Sequence, residues 1–293
     1  MSTQSVGFVG LGLMGLPMCG NLIKAGIEVI ATTRQPGPLK DVFEAGAKTA
    51  PSPRVVAEQA DVVIIMVADT SAVEAVLNGV DGILAGIHPG VLIIDMGTTA
   101  VSATRKFASL VQAAGGSYVD APVSGGTLGA EAGSLTIMAG GEEQAIERAR
   151  PVLEILGSRF THIGPVGTGQ VAKAANQVIV GLNIGAVAEA LMLAAHAGAD
   201  PARVREALAG GFADSRVLEV HGQRMIERVF SPGGKVVTQR KDLVQALDLA
   251  DELGIEMPAT SLNKSLYERL IEAGDGGLDH SALIKVLDMD WAD

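Results

Sequence analysis

The feature that most constrains the fold is a glycine turn near the start of the chain, between an apolar run and a helical stretch. Val6–Val9 predicts a strand and Leu16–Ala25 predicts a helix. Between them, Gly10 permits a tight turn, Gly12 lets the backbone approach a pyrophosphate, and Gly15 allows the helix to pack against the strand. The motif therefore predicts a dinucleotide site with the phosphates at the helix N-terminus. The candidate contacts are Gly10, Leu11, Gly12, Leu13, Met14 and Gly15.

The end of the second predicted strand indicates which dinucleotide to expect. The run from Glu28 to Arg34 ends about 20 residues after the glycine turn, where the cofactor ribose lies in such folds. A carboxylate there binds the 2′-hydroxyl of NAD, but this chain has Thr33 and Arg34. An arginine can pair with a 2′-phosphate, so we expect NADP to be favoured over NAD. The alternative is a solvated arginine on a loop.

Strands and helices alternate through the first half of the chain. The runs 61–67 and 91–95 are almost entirely apolar, which is typical of strands buried on both faces of a parallel sheet. A helix is predicted over 102–114 and a further strand over 117–120. This alternation predicts a doubly wound sheet of Rossmann type.

Ligands bind beyond the carboxyl ends of the strands in such a sheet, and this rule selects further candidates. Met66 and Val67 follow one predicted strand and Thr98 follows the next, so all three are candidate cofactor contacts. The residues from Asp120 onward, at the end of a further predicted strand, should rim the same site. Thr98 could instead cap a helix, and Asp95 could serve only to hold a turn.

A serine and two glycines follow the strand that ends at Asp120. Ser124, Gly125 and Gly126 can present a hydroxyl and several unblocked amides to a small carboxylate. They are therefore the candidate substrate-binding segment. The alternative is an ordinary glycine-rich hairpin connection.

The segment from Thr168 to Ala197 contains no proline and predicts one helix of about 45 Å. Lys173, Asn176 and Gln177 project from one face of its first turns because they are three and four residues apart. A lysine partly withdrawn from water has a lowered pKa, which makes Lys173 the candidate proton donor and acceptor. The alternative is an exposed lysine. Beyond Gln177 the helix is apolar almost all round, as expected of a helix buried between partners.

Charge and composition exclude several classes of protein. The net charge of −11 disfavours binding to nucleic acid and to anionic membranes. The apolar run 178–195 contains Asn183 and Glu189, so we interpret it as a core helix and not as a membrane span. The single cysteine, Cys19, and an N-terminus without signal-peptide features favour the cytoplasm. The five histidines show no ligand spacing, so no metal is expected.

At 293 residues the chain suits two domains. We expect a dinucleotide-binding domain over 1–164 and an all-α domain for substrate binding and oligomerisation over 165–293, joined by the long helix. The apolar helix and the helical second domain favour a homodimer or homotetramer.

Four ordered motifs resemble those of the β-hydroxyacid dehydrogenases, and the resemblance covers essentially the whole chain. They are Gly10-x-Gly12-x-Met14-Gly15-x-Pro17-Met18, Asp120-Ala-Pro-Val-Ser124-Gly-Gly, Gly167-x-Gly169-x-x-x-Lys173-x-x-Asn176-Gln177 and Lys241-Asp242-Leu243. Within the family the chain looks most like the tartronate semialdehyde reductases, with the 3-hydroxyisobutyrate dehydrogenases next.

This resemblance implies roles for the matching residues. Ser124, Gly125 and Gly126 would bind the substrate carboxylate, and Lys173 would be the acid and base. The substrate would be held by Asn176 and Gln177, and the cofactor would contact Thr98 and Lys241. The chain departs from the family pattern at Gly97, where serine is frequent, and at Gln239, where a histidine commonly precedes the lysine by two.

The sequence therefore predicts an oxidoreductase that transfers a hydride between a nicotinamide cofactor and a short pair of 3-hydroxyacid and 3-oxoacid. A dinucleotide-binding sensor without turnover is the alternative from another class. Chemistry of the 6-phosphogluconate type is disfavoured because the chain is short and has no recognisable phosphate-binding cluster.

Overall fold

The computed structural model describes residues 5–287 and divides the chain into two compact units, Met1–Lys173 and Ala174–Asp293. The expectation that the N-terminus lacks signal-peptide features concerns the first residues of the chain, and residues 1–4 lie outside the described part. The long helix, Thr168–His196, begins in the first unit and continues into the second.

Unit 1 is built on a twisted sheet of nine strands. Its main part has the order β3-β2-β1-β4-β5-β6 with every pair parallel. Beyond β6, strands β8 and β7 pair antiparallel, and β9 adds to β8 in parallel. The strands are β1 Val6–Val9, β2 Val29–Thr32, β3 Lys48–Thr49, β4 Val62–Ile65, β5 Leu92–Asp95, β6 Ser117–Asp120, β7 Val123–Ser124, β8 Leu135–Gly140 and β9 Gly157–Gly164.

Helices cover both faces of this sheet. Successive side chains of a strand point to opposite faces, so Phe8 lies in one apolar core and Val9 in the other. The helices are α1 Gly15–Lys24, α2 Pro36–Glu44, α3 Pro53–Gln59, α4 Thr70–Asn78, α5 Ile83–Gly86, α6 Val101–Ala113, α7 Gly126–Ala132 and α8 Glu143–Leu156, followed by the start of α9, Thr168–His196. This architecture confirms the predicted doubly wound sheet.

Unit 2 is helical and packs around one apolar core. Ile184, Ala188 and Leu191 of α9 contribute to this core and are fully buried. The other elements are α10 Pro201–Leu208, α11 Arg216–Glu227, α12 Val236–Glu252, α13 Pro258–Glu272, the 3-10 helix His280–Leu283 and α14 Ile284–Leu287.

Helix α9 is long and apolar enough, by length and composition, to cross a membrane. Ile184, Ala188 and Leu191 of this helix lie in the apolar core of unit 2, so it is a core helix and not a membrane span, as the sequence predicted.

Most differences from the predicted elements lie at their ends. The second strand ends at Thr32, so Arg34 lies beyond it. The segment after Ser124 is a short helix, Gly126–Ala132, and not a hairpin connection. Gly125 and Gly126, which lead the chain into that helix, have positive φ values of 130° and 59°, which glycine adopts without strain.

Candidate functional site

The glycine turn after β1 has the geometry that a dinucleotide phosphate requires. Gly10 has φ 102°, and a Cβ added there would lie 2.3 Å from the carbonyl oxygen of Met66. A Cβ on Gly15 would lie 2.0 Å from the carbonyl oxygen of Gly10, so α1 starts in direct contact with the turn. A Cβ on Gly12 would meet nothing within 4 Å. The space over Gly12 and the amides of the helix start fit a pyrophosphate.

The three apolar residues of this turn play different parts. Leu11 is buried in the core of unit 1 and Met14 packs against that core, so both anchor the turn. Leu13 is 59% exposed. The turn therefore offers its backbone, and not these anchored side chains, to a ligand.

The end of β2 lies beside the glycine turn, because the amide of Gly10 donates to the carbonyl oxygen of Thr32 at 3.0 Å. Thr32 itself is buried, whereas Thr33 is partly exposed and Arg34 is exposed. Within the described residues Arg34 makes no ion pair. Its guanidinium is therefore accessible at the strand end where the ribose is expected.

The ends of β4 and β5 complete this edge of the sheet. Met66 and Val67 follow β4, and a Cβ added to Gly97 after β5 would lie 3.0 Å from the carbonyl oxygen of Val67. A serine at position 97 would thus need a local shift. Thr98 is partly buried on the same loop.

Asp95 holds the loop that carries Thr98. Its Oδ1 accepts from the amide of Gly97 at 3.0 Å, and its Oδ2 accepts from the hydroxyls of Thr99 at 2.6 Å and Tyr118 at 3.2 Å. Burial raises the pKa of Asp95 to about 6, although the hydrogen bonds from Thr99 and Gly97 oppose the rise. This residue therefore has the turn-holding role that the sequence left open.

Gln170 ties the same loop to the start of α9. Its amide nitrogen donates to the carbonyl oxygen of Gly97 at 2.9 Å, and its amide oxygen accepts from the amide of Thr99 at 3.1 Å. Asp120, at the end of β6, accepts from the amides of Gly167 at 2.7 Å and Gln170 at 2.9 Å. A carboxylate is favourable at a helix N-terminus, so Asp120 fixes the position from which α9 starts.

This anchoring brings the candidate acid and base to the candidate carboxylate site. Lys173 is 7% exposed, and its Nζ donates to the carbonyl oxygen of Val123 at 2.7 Å. Ser124 is the next residue, and Gly125 and Gly126 both have positive φ. Unit 1 thus holds the Lys173 side chain against the backbone of the residue that precedes Ser124.

The first residues of unit 2 form an amide cluster on α9. Gln177 donates through Nε2 to Asp242 Oδ2 at 2.6 Å and to Gln239 Oε1 at 3.2 Å. Its Oε1 accepts from Asn176 Nδ2 at 2.8 Å. Lys241 on α12 pairs with Asp242 Oδ1 at 3.0 Å. Gln177 is therefore fixed by α12 and in turn orients Asn176.

Two histidines and an aspartate in unit 2 lie close enough for a metal site by distance: His221, Asp279 and His280. The Asp279 carboxylate is already engaged by Arg224, Ser281 and the amides of Gly233 and Gly234. A carboxylate saturated in this way is a poor metal ligand, because binding would break those contacts.

Sequence reasoning placed Asp120 at the ligand edge of the sheet, because it ends a predicted strand, but did not predict that its carboxylate would accept from the start of α9. The contacts of Gln170, Gln239 and Asp242 carry no local signal because their partners are far away in the chain.

The comparisons with known proteins agree with this architecture. A family profile described as the NAD binding domain of 6-phosphogluconate dehydrogenase matches residues 5–164. A second, described as NAD-binding of NADP-dependent 3-hydroxyisobutyrate dehydrogenase, matches residues 167–287. The chain is 47% identical over 287 residues to the 2-hydroxy-3-oxopropionate reductase of Escherichia coli, covering 98% of each chain.

Solved structures give the same result. A 3-hydroxyisobutyrate dehydrogenase of Mycobacterium tuberculosis with L-serine has a TM-score of 0.89 at 31% identity, covering 97% of this chain and 99% of that one. Psf3 in complex with NADP+ and 2-OPP has a TM-score of 0.89 at 25% identity, covering 97% and 100%. The chain therefore belongs to the β-hydroxyacid dehydrogenase family and is an NAD(P)-dependent 3-hydroxyacid dehydrogenase.

Proposed function

We propose that this enzyme reduces tartronate semialdehyde, which is 2-hydroxy-3-oxopropionate, with NADPH. The substrate is proposed from the 47% identity to the reductase of Escherichia coli. The proposed proton transfer is supported by the 2.7 Å contact between Lys173 Nζ and the carbonyl oxygen of Val123. It sets a proton donor next to Ser124, the proposed ligand of the substrate carboxylate.

The proposed mechanism divides the work among a few residues. Ser124 and the amides of Gly125 and Gly126 anchor the carboxylate, while Asn176 and Gln177 hold the rest of the substrate. Lys173 keeps a proton on Nζ and gives it to the nascent alkoxide oxygen on reduction, or removes the hydroxyl proton on oxidation. The bound nicotinamide supplies or accepts the hydride. The protein contributes positioning and proton transfer.

We propose NADP(H) as the preferred cofactor, with NAD(H) as the alternative. The exposed guanidinium of Arg34 and the uncharged Thr33 support a contact to the 2′-phosphate. The remaining contacts proposed are the glycine turn 10–15, Met66, Val67, Thr98 and, by its family motif, Lys241. Gly97 does not repeat the serine that is frequent in the family.

A substrate panel with both cofactors tests the proposal. The panel contains tartronate, methylmalonate and succinate semialdehydes, assayed for reduction with NADPH and NADH, and serine, assayed for oxidation with NADP+ and NAD+, each as kcat/KM. We expect the highest value for tartronate semialdehyde with NADPH. A higher value for methylmalonate semialdehyde would make the enzyme a 3-hydroxyisobutyrate dehydrogenase, and a higher value for succinate semialdehyde would favour another small semialdehyde reductase.

We also propose that residues 1–164 bind the dinucleotide and residues 165–293 serve substrate binding and oligomerisation. The limits of the two family profiles, 5–164 and 167–287, support this division. We also propose a cytoplasmic location, because a chain with a single cysteine has no internal disulfide. That cysteine, Cys19, is buried, and desolvation raises its pKa to about 12.

A homodimer or homotetramer is part of the proposal. Only 33% of the most apolar 18-residue stretch of α9 is buried, and Ile179 and Leu193 are 61% and 69% exposed. Exposed apolar side chains on one helix favour burial against a second copy. Light scattering should give at least twice the chain mass of 30.0 kDa at assay concentration. A 30.0 kDa particle would contradict the oligomer.

A further inference from the structure

The side chain of Gln170 lies between two segments of unit 1 that carry proposed functional residues. It belongs to the first turn of α9, three residues before Lys173, and is 2% exposed. Its Nε2 donates to the carbonyl oxygen of Gly97 at 2.9 Å, and its Oε1 accepts from the amide of Thr99 at 3.1 Å. These two bonds, called the Gln170 bridge below, hold the backbone on both sides of Thr98, the proposed cofactor contact.

The amide of Gln170 fits these partners in one orientation only. Gly97 offers a carbonyl oxygen, which accepts, and Thr99 offers an N–H, which donates. A flipped amide would set its NH₂ group against the N–H of Thr99 and its oxygen against the carbonyl oxygen of Gly97. The bridge therefore requires a side chain that ends in one donor and one acceptor. Without it, a buried carbonyl and a buried N–H would lose these partners, which is costly.

The Gln170 bridge joins two segments that the sheet anchors separately. Asp95, at the end of β5, holds the loop through the amide of Gly97 and the hydroxyl of Thr99. Asp120, at the end of β6, accepts from the backbone amide of Gln170 at 2.9 Å. The two strands are parallel neighbours, and Asp95 pairs in register with Asp120. The bridge thus connects the loop and the helix directly above two adjoining strand ends.

Reduction of a carbonyl group makes such a connection useful. The hydride reaches the carbonyl carbon from the nicotinamide, and the proton reaches the adjoining oxygen from the acid. Because these two atoms are bonded to each other, the hydride donor and the proton donor must be held at a fixed separation. The proposed proton donor, Lys173, lies on α9, and the proposed cofactor contact, Thr98, lies on the loop. A bond between α9 and the loop can set that separation.

We infer that Gln170 is a positioning residue for the reaction, because it sets the loop that contacts the cofactor against the helical turn that carries Lys173. The inference rests on the proposed function, from which it takes the roles of Lys173 and Thr98, but not on which semialdehyde is the substrate. The bridge acts between the cofactor loop and the acid, and not on the substrate carboxylate or the cofactor phosphates. Its loss should therefore lower kcat more than it weakens the binding of either ligand.

A methionine at this position tests the kinetic effect. Methionine is similar in length to glutamine but has no N–H to donate. In Gln170→Met, kcat for the best semialdehyde of the panel should fall about tenfold to a hundredfold, while its KM and the Kd of NADPH change little. With NADPH that carries deuterium at the transferred position, the isotope effect on kcat should exceed that of the wild type, because hydride transfer becomes the slow step. Gln112→Met, at an exposed glutamine of α6, is the matched control and should keep wild-type values.

A glutamate at the same position gives a readout that a merely structural role would not produce. An ionised carboxylate has only acceptors, so one oxygen of Gln170→Glu would face the carbonyl oxygen of Gly97 without a hydrogen. A protonated carboxyl group restores one donor and one acceptor. From about pH 9 to about pH 6, the ratio of Gln170→Glu kcat to wild-type kcat should therefore rise about tenfold, whereas the ratio for Gln170→Met should stay low and constant.

The charged neighbours of this position decide where the new glutamic acid titrates. Asp95 of β5 lies across Thr99, and Asp120 of β6 contacts the start of α9, so burial and two carboxylates raise its pKa. Lys173 on α9 and Arg105, on α6 beside the start of α9, lower it. Burial also raises the pKa values of Asp95, to about 6, and of Asp120. Division by the wild-type kcat at each pH takes account of these two carboxylates.

The outcomes separate positioning, folding and the proposed function. Circular dichroism and urea unfolding check that each variant folds, and if Gln170→Met does not, the pH profile of Gln170→Glu decides alone. Wild-type kcat in a folded Gln170→Met, or a Gln170→Glu ratio that does not change with pH, would overturn the inference. If Lys173→Ala retains kcat, the proposed function has failed. If Lys173→Ala loses kcat while Gln170→Met retains it, only the role of Gln170 has failed.

Discussion

Lys173 Nζ donates to the carbonyl oxygen of Val123 at 2.7 Å, which ties the ammonium group to the residue before Ser124. Lys173 and Ser124 are far apart in sequence. Asp120 brings their segments together, because it ends β6 and its carboxylate accepts from the amides of Gly167 and Gln170 at the start of α9. The lysine is thus held by the sheet and not by its helix alone. Preorganisation of this kind reduces the loss of freedom needed to reach a reactive geometry.

Substitution of Ser124 should affect substrate binding more than turnover. Ser124→Ala removes a hydroxyl proposed to bind the carboxylate in both ground and transition states, so KM should rise about tenfold to a hundredfold while kcat changes less. Ser109→Ala, on an exposed face of α6, is the control and should leave both constants unchanged. An unaltered KM in Ser124→Ala would remove the carboxylate contact.

Cofactor preference should depend on Arg34. A charge-assisted contact to the 2′-phosphate contributes roughly 1.5–3 kcal/mol, so kcat/KM should favour NADPH over NADH by about one to two powers of ten. Arg34→Ala should weaken the use of NADPH and leave the use of NADH nearly unchanged. The assay measures kcat/KM with both cofactors, and NADH is the internal control.

The reverse change can be made at the neighbouring position. Thr33→Asp should shift preference toward NADH, because a carboxylate accepts from the ribose 2′-hydroxyl and repels a 2′-phosphate. A wild type that prefers NADH, or an equal loss of both cofactors in Arg34→Ala, would show that Arg34 does not contact the 2′-phosphate.

Asp95 should make the stability of the protein depend on pH. Burial raises its pKa in the folded state from 3.8 to about 6, so between these values the folded protein binds a proton that the unfolded chain does not. The free energy of unfolding should therefore fall as the pH rises through this window, by on the order of 3 kcal/mol. The asparagine in Asp95→Asn cannot titrate, so this variant should lack the fall in the free energy of unfolding that Asp95 causes.

Urea unfolding of both proteins at about pH 4 and about pH 7 measures the effect. The difference between wild type and Asp95→Asn isolates Asp95 from other groups, including Asp120, whose pKa burial also raises. If the two proteins differ in free energy of unfolding by the same amount at both pH values, the raised pKa of the buried Asp95 carboxylate would be contradicted.

The sequence predicted those parts of the molecule that local patterns determine. The strand Val6–Val9 and the turn at Gly10 follow from apolar residues and glycine spacing, and the helix beginning at Thr168 follows from the absence of proline. Short elements such as the strand Lys48–Thr49 were not predicted, because two residues form no sequence pattern. This strand is defined only by its pairing with β2.

The site was predictable in its residue types but not in its connections. Lys173 and Ser124 could be named from motifs, yet the carbonyl of Val123 is a backbone group that no motif marks. Likewise, the fixing of Gln177 by Asp242 joins residues on different helices. Such contacts depend on tertiary packing and become visible only in three dimensions.

Chemical rescue at Lys173 tests the central claim most directly. Lys173→Ala should lower kcat by about two to four powers of ten while the affinity for NADPH, measured by fluorescence titration, stays nearly unchanged. Lys106→Ala, at an exposed lysine of α6, is the control and should keep wild-type kcat. A small primary amine added to the Lys173→Ala enzyme should restore part of kcat, because the amine can transfer the missing proton. Retention of most of kcat in Lys173→Ala would contradict the account.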